Sequence, residues 1–443
     1  MRIQLSDHFT YGRLLRFVFP TISMMIVTSV YGIVDGLFIS NIVGKSAFAS
    51  VNLIMPFLMA LSSFGFMIGT GGSALVSKTL GEGDKDRANR YFSMLIAVTA
   101  VAGTLLSALG FIFMRQISEL LGASDSLIEN CVIYGRTVVV AGAFFMLQNA
   151  FQSFFAVAEK PKLGLAVSVL SGVCNIVLDF LMVYVFRMGV FGAALATTIS
   201  QGVGALIPAA YFLRPNDSLL RLVPAGMDLH ALGMACFNGS SEMMTNLSMS
   251  LVGMLYNYQL MRYAGDDGVA AYGVVMYVEM IFLSFFIGYS IGCAPIVGYD
   301  YGAGNSAELK NLFCKSLVLT AIIGALMTVS AMTLAVPLSS IFVGYDSKLL
   351  AMTVHGLRLY SLSFLICGFN VFSSAFFTAL SNGPLSALIS FLRTLVFESG
   401  AVLLLPHLLG LDGIWFAITA AESITLVVSF TLLAKNRTRY HYA

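Results

Sequence analysis

The octapeptide LGEGDKDR at residues 80–87 returns as YGAGNSAE at residues 301–308, so that Gly81 falls on Gly302 and Gly83 on Gly304 at a shift of 221 positions. Working outward, the same shift places Gly44 on Gly265, Ala49 on Ala270, Gly71 on Gly292, Gly189 on Gly410 and Gly192 on Gly413. Between those anchors it becomes 222, pairing Gly122 with Gly344, Arg136 with Arg358, and Phe154-Phe155 with Phe376-Phe377. With 41 glycines in 443 residues a single coincidence means little, but a nearly constant shift across a whole half marks a duplication.

What is duplicated is apolar. Charged residues make up 10% of the chain and hydrophobic ones 58%, against about 25% charged in an ordinary soluble domain, and the mean hydropathy is +0.88. Such a composition cannot cover a water-facing surface, which excludes a soluble globular protein. Stretches of about 20 apolar residues cross a bilayer. Broken by Gly, Pro and charge, they predict twelve helices at 13–40, 47–77, 91–114, 131–157, 163–186, 190–213, 232–262, 268–299, 311–335, 353–379, 384–406 and 411–434. A net charge of +2 gives no reason to expect a nucleic-acid partner. The six cysteines are scattered without a CxxC pair and read as small membrane hydrophobes. The opening apolar stretch runs past Val30 without a small-residue cleavage site, as an uncleaved first helix would.

Cytoplasmic loops concentrate Lys and Arg. With both termini cytoplasmic, sixteen of the 24 basic residues, from Arg2 to Arg439, fall inside, and five (Lys45, Arg115, Arg187, Arg262 and Lys348) fall outside. The remaining three, Arg136, Arg358 and Arg393, lie within helices. Six helices per repeat give both halves the same orientation, so the axis relating them lies along the membrane normal with a cleft between two bundles. The expected fold is therefore an all-α polytopic membrane protein of two six-helix bundles: an N-terminal lobe at 1–212, a polar linker at 213–229 and a C-terminal lobe at 230–443. That architecture suits a carrier whose bundles rock around a central site.

Few charges lie inside the membrane, where each costs about 2.5–3.5 kcal/mol on insertion scales and marks a candidate site. Asp35 stands near the outer end of helix 1, Asp179 near that of helix 5, and Thr197 about two turns into helix 6. At about 1.5 Å per residue they share a depth of about 8–11 Å, with Asn175 one turn deeper on the face of Asp179. Two carboxylates brought together in a dry pocket must share a proton or be neutralised by a cation. Their repeat counterparts, Tyr256, Val396, Gly400 and Ile418, carry no such set. Pro20 within helix 1 removes a backbone bond and invites a kink that would move Asp35. In the second half, Glu279 or Glu398 is expected to pair with Arg393; Tyr31 of helix 1 and Glu242, Glu279 and Asn370 of the second half are candidates for substrate contact or a second cation site. His355 and His407, near helix ends, read as surface residues. The 35 Phe, 18 Tyr and 23 Met first supply lipid-facing surface, and a subset would line the cleft.

The combination VYGIVDGLFISNIVG in helix 1, NIVLD in helix 5, GAALATTISQ in helix 6 and the two glycine loops resembles the multidrug and toxic compound extrusion (MATE) family, over essentially the whole chain. The resemblance is nearest to the branch of DNA-damage-inducible and staphylococcal-type efflux pumps. It implies a helix 1 aspartate, a helix 5 Asn and Asp, and a helix 6 Thr as the cation or proton site, which here are Asp35, Asn175, Asp179 and Thr197, with Pro20 at the bend of helix 1. Asn370 stands where many sodium-driven relatives carry a helix 10 aspartate, which weakens a C-lobe cation site, and Glu242 resembles a helix 7 glutamate used in several branches. The implied activity is export of cationic or amphiphilic compounds in exchange for H⁺ or Na⁺, without a cofactor, by a monomer in the plasma or inner membrane. The alternative is a flippase for a lipid or lipid-linked oligosaccharide. No HExxH, GxSxG or P-loop sequence points to an enzyme.

Overall fold

A computed structural model describes residues 3–125 and 127–442, without the side chain of Lys45; of the basic residues assigned to a membrane side above, Arg2 and the Lys45 side chain lie outside what it describes. Among the described residues the chain is helical throughout, with no strand. Its membrane-spanning elements are α1 (Tyr11–Val43), α2 (Lys45–Gly81), α3 (Lys85–Leu120), α4 (Ile128–Val140 and Gly142–Val157), α5 (Pro161–Val185) and α6 (Gly189–Leu213). A continuous rod, Leu229–Gly302, follows, interrupted at Gly265 by non-helical dihedrals (φ 62°, ψ −151°). Its arms are α7 (residues 229–264) and α8 (residues 266–302). Then come α9 (Ser306–Thr333), α10 (Ser347–Ser361 and Phe364–Ala379), α11 (Gly383–Leu409) and α12 (Leu411–Tyr440). Twelve spans thus form two six-helix bundles.

The repeat is visible in the backbone. Gly44 and Gly265 hold positive φ at the turns after the first helix of each half, and Gly83 with Gly304 and Gly189 with Gly410 do the same, a conformation that costs glycine nothing. The fourth helix of each bundle is bent at matching places: α4 by 55° about Ala141, α10 by 47° at residues 362–363. The apolar lengths alone did not reveal those bends. Nor did they show how far some helices outrun the bilayer: α3 covers Lys85–Leu120 instead of 91–114, because Asp84 caps it by accepting from the Arg87 N–H at 2.9 Å well before the apolar stretch begins. α1 is one continuous helix through Pro20, and its last turn, Ile39–Val43, widens to π geometry.

Residues 3 and 442 lie on one face of the molecule, called here the terminus face, because an even number of spans returns the chain to where it began. Near that face the bundles are sealed by glycine against backbone. A Cβ on Gly81 would collide with the Tyr299 carbonyl, one on Gly302 with the Lys78 carbonyl, and one on Gly71 or Gly239 with backbone of the opposite bundle. Toward the far face the bundles diverge around a cavity of about 640 Å³, lined from Asn52 and Met55 on α2 to Tyr272 and Glu279 on α8.

Candidate functional site

Asp35 on α1 is 7% exposed, Asn175 and Asp179 on α5 are 1% and 0% exposed, and Thr197 on α6 is half-buried. Asn175 and Asp179 are four apart and share a helical face. The backbone helps to aim them. α5 switches to a π-helical turn directly after Asp179, at Phe180–Val185, and α1 does so one turn beyond Asp35; such widened turns reorient side chains and gather at functional sites. Ser171 Oγ donates to the Ser200 carbonyl at 2.7 Å, tying α5 to α6 one turn from Asn175.

The Asp35 and Asp179 carboxyl groups face each other within reach of a shared proton. The Tyr134 ring on α4 stands beside both, with its hydroxyl toward Thr197. Tyr31, one turn before Asp35, lies against Gly172 of α5, where a Cβ would come within 3.0 Å of the ring, and its hydroxyl lies beside Gln148. Five oxygens here have no hydrogen-bond partner among the described residues: Asp35 Oδ1, Asn175 Oδ1, both Asp179 oxygens and Thr197 Oγ1. Buried polar atoms are ordinarily paired, so a set of unpaired, hard oxygen donors in one pocket is the feature to explain. Its chemistry suits a proton shared between the carboxylates or an alkali cation among the oxygens. Tyr134 and Gln148 were not among the sequence-based candidates. They lie on opposite sides of the α4 bend, so no single helical face connects them.

The C-terminal bundle is wired differently. Arg393 on α11 donates from both Nε and Nη2 to Glu422 Oε1 on α12, each at 2.7 Å. This corrects the expected Glu279–Arg393 or Glu398–Arg393 pair: α12 packs directly on the π-helical Phe391–Glu398 segment that carries Arg393, and depth along a helix does not tell which neighbour a side chain meets. Asn370 joins this network. Its Nδ2 donates to Glu422 Oε2 at 2.6 Å and to the Glu422 carbonyl at 2.9 Å, and its Oδ1 accepts from Ser429 Oγ at 2.8 Å. Asn370 and Tyr31 are absent from the cavity lining, whereas Glu242, Glu279 and Glu398 line it with the Arg393 end of the ion pair. Opposite them the N-terminal bundle presents Met25, Met55, Met59 and Phe66. His355 lies at the surface, 2.8 Å from Asp412.

Comparison with known proteins agrees with this architecture. A multidrug export protein, MepA of Staphylococcus saprophyticus, is 24% identical over 431 residues, covering 96% of this chain and 94% of that protein. A MATE transporter solved in complex with MaL6 superposes with a TM-score of 0.93 at 21% identity over 98% of both chains. A multidrug resistance MATE family transporter of the MOP superfamily, solved in its outward-facing conformation, superposes with a TM-score of 0.92 at 21% identity, again over 98% of each. The MatE family model matches residues 20–181 and 243–399, most of each bundle. The chain therefore belongs to the MatE family of membrane transporters.

Proposed function

We propose that the chain is a secondary active antiporter that exports amphiphilic or cationic small molecules in exchange for H⁺ or Na⁺ by alternating access. The carrying observation is the buried Asp35–Asp179 pair with its unpaired oxygens. Two carboxylates in such a pocket repel one another when ionised and are relieved by a proton or cation, so neutralisation favours one shape of the N-terminal bundle and ionisation another. Asn175 and Thr197 complete an oxygen shell suited to Na⁺, with the Tyr134 hydroxyl beside Thr197. No cofactor takes part in this reading. Pro20 leaves α1 short of one backbone bond, a place for it to bend as the pair changes state.

The excess of Lys and Arg on the terminus face supports a cytoplasmic position for both termini in the plasma or inner membrane, with the cavity open to the outside. Three carboxyl groups on one wall and methionines on both favour a cation with an apolar body. The same wall disfavours a pyrophosphate-linked lipid, since the one guanidinium there is taken by Glu422. The division into lobes at 1–212 and 230–443 joined by a 213–229 linker, acting as a monomer, belongs to the same reading, as does substrate contact by Glu242 and Glu279. The test is dye efflux from proteoliposomes under imposed Na⁺ or pH gradients across a panel of cationic dyes. Efflux driven by neither gradient, together with movement of labelled lipid, would replace the antiporter reading with a flippase.

A further inference from the structure

The segment preceding α1 enters the N-terminal bundle but is held by the other one. Leu5 and Phe9, both fully buried, pack into an apolar cluster with Leu309, Leu312, Phe313 and Tyr442 of the C-terminal half. The Phe9 N–H donates to Glu308 Oε1 at 2.9 Å, and its carbonyl accepts from Lys315 Nζ at 2.6 Å and Asn311 Nδ2 at 3.0 Å. His8 Nδ1 lies 2.6 Å from Glu308 Oε2. Glu308, 6% exposed, is itself steadied by Asn311 Nδ2 at 2.7 Å. At its other end the segment is tied to the N-terminal bundle, where the Leu5 N–H donates to Glu159 Oε1 at 2.8 Å beyond the α4 end. One short peptide therefore spans both bundles on the terminus face. A similar bridge lies opposite: the connection to α7 buries Leu220 in the N-terminal core and bonds α3 through Arg221 N–H to Asn89 Oδ1 (2.9 Å) and Val223 N–H to Ser93 Oγ (2.8 Å).

We propose that residues 3–10 form a clasp that holds the terminus face shut and must leave the Glu308–Asn311–Lys315 socket of α9 before that face can open; this rests on the alternating-access reading. The glycine contacts between α2 and α8 bring the bundles together but supply no polar bond between them. The clasp supplies directional bonds across the same gap, so its release is part of every transport cycle, and its strength sets how often the terminus face is open.

The test uses full-length protein with the six native cysteines replaced by alanine, in a background shown to transport dye. Three cysteine pairs are cross-linked separately with a short thiol reagent: His8 with Glu308 for the clasp, Lys78 with Tyr301 between α2 and α8, and Arg115 with Glu129 within the N-terminal bundle. Dye transport is expected to fall at least about tenfold in the first two and to return on reduction, with dye binding retained, while the third is unaffected. Transport blocked by the α2–α8 link but not by the clasp link overturns the clasp and leaves alternating access standing. Transport that survives the α2–α8 link overturns alternating access and the clasp with it. In a second measurement, Glu308→Ala is expected to raise labelling of a single cysteine at Ser77 by a water-soluble thiol reagent about tenfold; unchanged labelling also discards the clasp.

Discussion

The two bundles share a scaffold and differ in what they do with buried charge. In the C-terminal bundle Arg393, Glu422, Asn370 and Ser429 satisfy one another within 2.9 Å. In the N-terminal bundle Asp35, Asn175, Asp179 and Thr197 are as deeply placed, yet five of their oxygens meet no donor. A complete network holds one arrangement, whereas an incomplete one changes when something supplies the missing partner. On the antiporter reading proposed above, the difference separates a polar group kept for the fold from one kept for a task, which residue type alone does not.

The sharpest way to break this comparison is to remove charge from the unsatisfied side. Asp35→Asn or Asp179→Asn is expected to lower gradient-driven efflux about 100-fold or more, since a coupling ion with no preference between two shapes shifts neither, while membrane insertion stays normal; full efflux by both variants would discard the coupling assignment. Next in size, Arg393→Met is expected to destabilise the protein by about 3–5 kcal/mol by stranding Glu422, read as thermal unfolding in detergent, and a Glu422→Leu partner change is expected to recover most of it. A Gly81→Val side chain has no room against Tyr299, so the terminus face is expected to gape, with about tenfold lower transport and faster thiol labelling there. Smallest, Tyr134→Phe removes one hydroxyl from beside Thr197 and is expected to weaken coupling-cation affinity about fivefold, equivalent to about 1 kcal/mol, leaving dye binding in the cavity untouched.

The spans, the duplication and the bundle arrangement were legible in the sequence because apolar length and a constant shift are properties of the chain itself. Asp35, Asn175 and Asp179 stood out for the same reason, being charges or amides at one depth with one helical spacing. Partner choice did not. Arg393 takes Glu422 rather than Glu279 or Glu398 because of how α12 lies on α11, and Asn370 is absorbed into that network instead of facing the cavity. Tyr134 and Gln148 carried no periodic signal across the α4 bend. Helix ends ran past their expected limits where polar caps, silent in hydropathy, extended them.

The glycines that let α2 and α8 touch also decide what parting them costs. Peptide groups meeting there are already bonded along their own helices, so separation exposes few orphan donors or acceptors and forfeits mainly dispersion contacts, each worth about 0.1–0.2 kcal/mol per atom pair. Where backbone rather than bulky side chains makes the closest approaches, the alternating-access reading needs less repacking as the bundles part, and the balance between arrangements falls to contacts elsewhere in the molecule.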